Sequence, residues 1–564
     1  MNTALHTVRE TDVSGVLCFY VDMGRPASAA HLIFRQGQAD EPLHETGWLH
    51  LLEHLALLDR ESLSRPINGE VSMLLTRFAA FGGPDELVAN LGALCRWVAE
   101  PDFRLLARER GVLQARAHRR HDPLIRSLTW RYGATGPGVT SYSEVGALRA
   151  TPELLAERAW RVFNAANAIL VLDGPPPADL KLPLPGGEYL PPTPSEPVTR
   201  LLPAAYRDDA GLTLSGVVSR THEATFLPGI LERSVHDGLR QRLGGAYAPW
   251  SSMVEVDDQH LVVGGGSDVV PEILASVSNA GRDVVRRLAE EGVPRAWVEE
   301  AVQQRLTRLD SPQALADVAL ESAYAALSDR VPLTHEEMLD QLRGTDPQLV
   351  DSAARELEAT LLVGLPEDAK LLRGLKLVSF PDAEPAGEGK RHSHVNWPAD
   401  LTTFSVDDQV AETVDGTTAR AMRIEDVAGL FAYRDGTRRL VGRDGSVLEM
   451  EARQWVNGDR LAETLDSAVP GELHIPMPDR EVMFRRLGLA ERCAIGFARA
   501  ANTKRGLIVL ISVMVLLTVW SVAGGHRLMA FVLLVLAATL FAQLWRVEGG
   551  QLGPRATPPS PGPA

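Results

Sequence analysis

The residues most able to do chemistry are His50, Glu53 and His54, which form H-x-x-E-H inside the stretch Gly47-Trp-Leu-His-Leu-Leu-Glu-His-Leu-Ala. On a helix, residues four apart project from one face, so the two imidazoles can grip a single metal ion. Glu53, three residues after His50, falls near that face and can take a proton from water held by the ion. The order is the reverse of the commoner H-E-x-x-H. The bland alternative is a pair of helix histidines satisfied by local hydrogen bonds, and the surrounding chain must decide between the two.

The motif lies in an apolar run with helical spacing that opens near Thr46-Gly47. Strand-like segments precede it at 15–21 and 30–35, and a turn at 66–70 leads into a strand ending near 82. Helical spacing then runs over 86–99 and 103–120, and Thr151-Pro152 opens another helix. The glycine-rich GATGPGV at 133–139 lacks a following Gly-Lys-Ser/Thr, which disfavours a phosphate cradle. A buried strand from Asn167 closes the unit, and the proline-dense 176–200 forms a semi-rigid linker. Beyond it the plan repeats: a strand at 212–217, a helix at 228–242, a strand from His260, then five helices up to about 359. Two α+β units, 1–175 and 201–379, of similar element order imply an internal duplication.

A second linker, 380–400, contains His392 and His394, and a solvated connector accounts for them better than a metal tract. Residues 401–480 are β-rich, with Asp-Gly turn signals at 415, 435 and 444, and Trp455 fits the core of that region. A basic juxtamembrane helix is expected over 481–505. The 18-residue runs 506–523 and 528–545 carry no charge and match the lower length limit for crossing a hydrocarbon core of about 30 Å. Arginines and lysines flank the pair on the outer sides, so the positive-inside bias expects a two-span anchor with the rest of the chain in the cytosol. A disordered tail is expected over 546–564. The N-terminus has no charged-then-apolar leader. Acidic residues outnumber basic ones 73 to 57, a balance that disfavours nucleic acid as a partner. The three cysteines have no paired spacing, so a disulfide framework is not expected.

Taken together, GQADEPLHETGWLHLLEHLAL, INGEVS, ARERGVL, GATGPGVTSYSEVGAL and VFNAANAILVLDG resemble the pitrilysin/insulinase family of zinc metallopeptidases, in its short, processing-peptidase-like form. In the second unit Leu239-Arg240-Gln-Arg-Leu-Gly-Gly-Ala-Tyr247 resembles the family's second signature, and the likeness covers about residues 10 to 370. The resemblance implies two homologous metallopeptidase-type α/β sandwich units. It makes His50 and His54 ligands of Zn2+, Glu53 the general base, and Arg240 and Tyr247 the groups that hold substrate backbone and stabilise the oxyanion. The family's third ligand is a Glu seven residues after another acid, and here Glu109 is followed at that spacing by Arg116. Three outcomes stay open: Glu109 takes the role, His118 or His121 substitutes, or the site no longer holds metal tightly. The region 401–480 also resembles, more distantly, bacterial pleckstrin homology-like domains.

The expectation is thus a membrane-anchored zinc endopeptidase acting on peptides or unfolded segments. Family particles enclose a chamber of four such units, and this chain supplies two. A homodimer, or a pair with a related subunit, is therefore expected, with Arg240 and Tyr247 completing the partner's site. The alternative is an inactive peptidase-like scaffold that binds peptides or partner proteins at the membrane.

Overall fold

The structure is a computed structural model of the 564-residue chain. It describes residues 8–58, 67–117, 122–199, 201–208, 211–241, 246–269, 274–311, 314–367, 369, 371, 374–378, 387–416, 418–480, 484–501 and 504–523, with scattered positions between 529 and 539. The chain divides into two compact units, Met1–Phe380 with Val441–Ser446, and Pro381–Leu440 with Val447–Ala564.

The first half of the larger unit supplies β1 (Val8–Val13), β2 (Val16–Val21), β3 (Ala29–Arg35), α1 (Trp48–Leu58), β4 (Asn68–Val71) and β5 (Leu75–Phe81). It continues with α2 (Pro84–Ala99), α3 (Leu106–Ala117), α4 (Pro123–Tyr132), α5 (Pro152–Val162) and β6 (Ala168–Leu172). The second half supplies β7 (Ala204–Arg207), β8 (Leu212–Ser219), α6 (Leu227–Val235), β9 (Ala246–Glu255) and β10 (His260–Val269). It closes with α7 (Leu274–Glu290), α8 (Arg295–Leu309), α9 (Ala314–Ala326), α10 (His335–Arg343), α11 (Pro347–Ala359), β11 (Leu362–Leu365) and β12 (Lys376–Leu377).

The strands form two six-stranded sheets, β1-β2-β6-β3-β5-β4 and β12-β7-β11-β8-β10-β9. Five strands of each correspond one for one. β2-β6-β3-β5-β4 and β7-β11-β8-β10-β9 both run as one parallel pairing followed by three antiparallel ones. The sandwich is therefore α+β and built twice, and α6 stands in the second half where α1 stands in the first.

Each sheet is covered on one face by its own helices and on the other by a helix from the opposite half. On the first sheet, Leu52 of α1, Leu91 of α2 and Leu155 of α5 share a core with Leu32, Phe78 and Leu170. On its other face Leu315, Ala319 and Ala323 of α9, with Leu327 just after it, pack on Phe19, Val21, Ile33, Ile169 and Val171. Reciprocally, Leu124, Leu128 and Tyr132 of α4 pack on Val256 and Val262 of the second half. Double coverage explains why β6 (AILVL) and β11 (LVGL) are apolar throughout and buried at every residue. Arg131 of α4 is fully buried and donates to the carbonyls of Thr360 at 3.0 Å and Ser215 at 3.1 Å, so the exchanged helix is also hydrogen-bonded in place.

Helix α1 is apolar nearly all round, with Trp48, Leu49, Leu51, Leu52, Leu55 and Ala56 buried. Its first amides therefore need a partner from outside the helix. Glu41 supplies it: the N–H groups of Gly47 and Leu49 donate to its two carboxyl oxygens at 2.9 and 2.7 Å. Gly47 turns the chain into the helix at φ +85°, a conformation that favours glycine. Burial pushes the Glu41 carboxyl up to about 8, against the opposing pull of Arg158 and the two N–H groups.

The smaller unit holds β13 (His392–Ser393), β14 (Thr403–Val406), β15 (Val410–Asp415) and β16 (Thr418–Arg423) in one antiparallel sheet. A second sheet, β19-β18-β17-β20, is made of β17 (Val427–Ala432), β18 (Arg438–Gly442), β19 (Val447–Met450) and β20 (His474–Pro476), with α12 (Gly458–Ala468) before its last strand. Trp455 is core here, as its setting suggests. The segment carrying His392 and His394, expected as a linker, is part of this unit instead. β13 pairs with β14, and His394 is buried against the rings of Trp455 and Phe484 at 5.6 and 6.0 Å. The cause is the Trp455 ring, which stands nearly perpendicular to the imidazole and offers it an apolar wall.

Two more helices follow, α13 (Leu489–Ala501) and α14 (Lys504–Ala523), the latter over the first apolar run. Among the described residues no helix is long and apolar enough to cross a membrane. Most of the second apolar run at 528–545, and the tail expected to be disordered, lie outside the described residues.

Two outcomes test this construction. Leu128→Ala empties a fully buried site between α4 and the second sheet and should cost about 3 kcal/mol in denaturant unfolding of the larger unit. For Glu41 the sign follows from its raised value. Between pH 4.5 and about 8 the folded chain holds a proton that the unfolded chain has released, so stability falls as pH rises through that window, by about 1.4 kcal/mol per pH unit. Glu41→Gln should flatten that slope when unfolding midpoints at pH 6 and pH 8 are compared with those of the parent.

Candidate functional site

The polar residues of α1 come from three positions on one side of the helix. Nε2 of His50 lies 3.9 Å from Oε2 of Glu53, and Nε2 of His54 lies 3.8 Å from the same oxygen. The two rings are 4.7 Å apart between centroids and nearly perpendicular. One ligand atom from each of the three residues falls within 4.8 Å of the others, the spacing of donors around one metal ion. The H-x-x-E-H spacing thus brings together the three groups that the sequence assigns to it.

The other nitrogen of each ring is held by a carboxylate from elsewhere in the half. Glu109 of α3 places Oε2 2.9 Å from Nδ1 of His54, and Glu144 places Oε1 2.7 Å from Nδ1 of His50. With Nδ1 engaged in this way, each ring turns Nε2 toward Glu53. This is the arrangement in which a histidine ligand is oriented by a carboxylate behind it. Glu109, the sequence candidate for third ligand, is buried, and its second oxygen lies 3.4 Å from Nε of Arg108. Its carboxylate sits at the back of His54 rather than among the converging atoms. The side chain of Arg116 and the residues His118 and His121 lie outside the described residues.

The positions of these carboxylates are built in. Arg110, next to Glu109, donates from Nε to the carbonyl of Ala147 at 3.0 Å and from Nη2 to that of Ala150 at 2.5 Å, tying α3 to the segment that carries Glu144. Glu53 is buried at 5 % exposure, and it fits because position 69 of β4 is glycine. A Cβ there would stand 2.0 Å from Oε1 of Glu53. Among the described strands β4 is the last of its sheet, and its Gly69 lies against Glu53.

The second signature is placed only by its backbone. Arg240 lies in the π-helical turn His236–Gln241 that continues α6, and Tyr247 lies in β9, while both side chains are outside the described residues. α6 (LPGILERSV) carries no counterpart of the histidines, and among the described residues the converging His-Glu-His group occurs once. Sequence reasoning assigned no role to Glu144, Gly69 or Glu41. The first lies in a segment, SYSEVG, that is remote from α1 in the chain, and only its folding against that helix reveals it. Gly69 leaves a signal, a glycine inside a short strand, which marks close approach of another group.

No family model matches the chain, and no curated protein matches it. Solved structures do. A peptidase M16 inactive domain from Pseudomonas fluorescens superposes with a TM-score of 0.52 at 15% identity, covering 65% of this chain and 100% of that one. A chain of complex III2 from Candida albicans gives 0.51 at 13% identity, covering 64% and 97%, and a protease from Helicobacter pylori gives 0.50 at 14%, covering 64% and 100%. Across roughly two thirds of its length the chain has the fold of M16 peptidase units, on which it carries the His50, Glu53, His54 group.

Proposed function

We propose that the chain is a zinc-dependent endopeptidase that hydrolyses peptides or unfolded segments. The observation that carries this reading is the convergence of Nε2 of His50, Nε2 of His54 and Oε2 of Glu53, with both Nδ1 atoms occupied by carboxylates. Two imidazoles with fixed Nε2 lone pairs fit a zinc ion, and His50 and His54 would hold it. When bound, zinc acidifies water and polarises a carbonyl.

Glu53 accepts the proton of the attacking water at Oε2 and delivers it to the leaving amine. Gly69 keeps the space that this carboxylate occupies. A peptide adding to the sheet at β4 would run beside α1, held by backbone hydrogen bonds with little demand on side-chain sequence. Arg240 and Tyr247 would donate to the developing oxyanion, in the site of a second copy or of a related subunit. The two apolar runs at the C-terminus, free of charge over 18 residues each, support anchoring at a membrane with the larger unit on the cytosolic side.

A specific observation favours a second reading, a peptidase-like scaffold without catalysis. Position 116 is Arg and Glu109 is engaged by His54, so among the described residues the converging group consists of His50, Glu53 and His54 alone. In that reading Glu53 closes the metal site and no base is left.

Metal analysis and peptide cleavage separate the two. The full chain should carry about one zinc per polypeptide and cleave an unstructured reporter peptide. Glu53→Gln should retain the metal and lose on the order of 10³-fold in kcat/KM. No cleavage in the parent, or cleavage unchanged by Glu53→Gln, sinks the enzyme reading. Gly69→Ala should also lower kcat/KM, by about tenfold or more with zinc retained, because the added methyl displaces Glu53.

A further inference from the structure

We infer that Glu144 is a positioning residue for His50: it fixes the imidazole with its proton on Nδ1 and its lone pair on Nε2, ready for a divalent cation. This rests on the metal-site reading above and adds to it a second carboxylate, matched to the one that Glu109 provides for His54.

The contact itself is short, 2.7 Å from Oε1 to Nδ1 of His50. Three further observations show that the segment is built against α1. Ser143 and Glu144 have φ +50° and +56°, two successive residues in the left-handed region that carry side chains, a conformation the surrounding structure must impose. The fold imposes it through two hydrogen bonds: the N–H of Gly146 donates to Oγ1 of Thr46 at 3.0 Å, and Nε1 of Trp48 donates to the carbonyl of Gly146 at 2.9 Å. The surfaces then meet without side chains between them. A Cβ on Gly47 would stand 2.7 Å from Cβ of Glu144, and one on Gly146 would stand 2.4 Å from the amide nitrogen of Thr46. Two glycines on facing strands of chain thus permit an approach that ends with the carboxylate on the ring.

The chemistry of that contact is specific. A carboxylate oxygen accepts, so a neutral ring in this contact carries its hydrogen on Nδ1 and turns the Nε2 lone pair toward Glu53 and His54. Glu144 is thus the hydrogen-bond partner that selects the Nδ1 side of the His50 ring, which is a quarter exposed.

The test uses the full chain in detergent, with Glu144→Ala and Glu144→Gln. Zinc affinity is read by competition with a chromophoric chelator, and the tautomer of His50 in the metal-free protein by imidazole 15N shifts, assigned with His50→Gln. The expected results are the Nδ1–H tautomer in the parent, its loss in Glu144→Ala, and zinc binding weaker by about 10- to 100-fold in that variant. Glu144→Gln, whose carbonyl oxygen can still accept from Nδ1–H, should keep the tautomer and recover most of the affinity. A merely structural role would lower the melting temperature of both variants and leave the tautomer alone. If His50 carries its proton on Nε2 in the parent, or keeps the Nδ1–H form in Glu144→Ala, the assignment is overturned. Should the parent bind no zinc, the peptidase reading fails, while the 15N shifts of the metal-free chain still decide the role of Glu144.

Discussion

A helix buried on nearly every side cannot look after its own polar groups, and the larger unit is arranged around that constraint. α1 is buried at its first turn and only partly exposed along its histidine face, so its polar groups are met by groups from other segments, several of them acidic side chains. Glu41 meets the opening amides, Glu109 meets His54 and Glu144 meets His50. These three acids come from the loop before α1, from α3 and from the turn before α5, and each arrives only if its own element is in place. Nε2 of both rings and the Glu53 carboxylate then converge on one another. Burial therefore does more than stabilise the site. It sets which nitrogen of each ring faces Glu53.

Duplication supplies the frame, and its two copies have diverged in use. The strand order and pairing sense agree over five strands, yet only the first copy has histidines on the helix after its second central strand. The second copy contributes something different, α9, which covers the back of the first sheet, and it takes α4 in return. Neither sheet has both of its faces covered by its own half.

Much of this was legible in the residues themselves. Apolar spacing locates α1, α2, α5 and the helices of the second half, the proline-dense segment marks the boundary between the halves, and H-x-x-E-H names three site residues that the fold does bring together. What sequence could not show has a common physical cause: it depends on which distant segments meet. α4 was overlooked because PLIRSLTWRY mixes arginines into its apolar face, and Arg131 makes sense only when the carbonyls of Thr360 and Ser215 surround it. Glu144 lies inside a segment that carries the family likeness, yet nothing local marks it as the partner of a histidine 94 residues earlier. The linker reading of 380–400 failed in part for a similar reason, because the wall that buries His394 comes from Trp455. The roles of Arg240 and Tyr247 rest on the resemblance, as their side chains lie outside the described residues.

The exchange of α4 and α9 has a mechanical consequence. A hinge between the two halves of the larger unit would have to peel both helices from their host sheets at once, exposing apolar faces on each side and stripping Arg131 of its carbonyls. Such a joint is locked. The two halves of the larger unit therefore move as one body, and neither can open without uncovering the apolar face that the other protects.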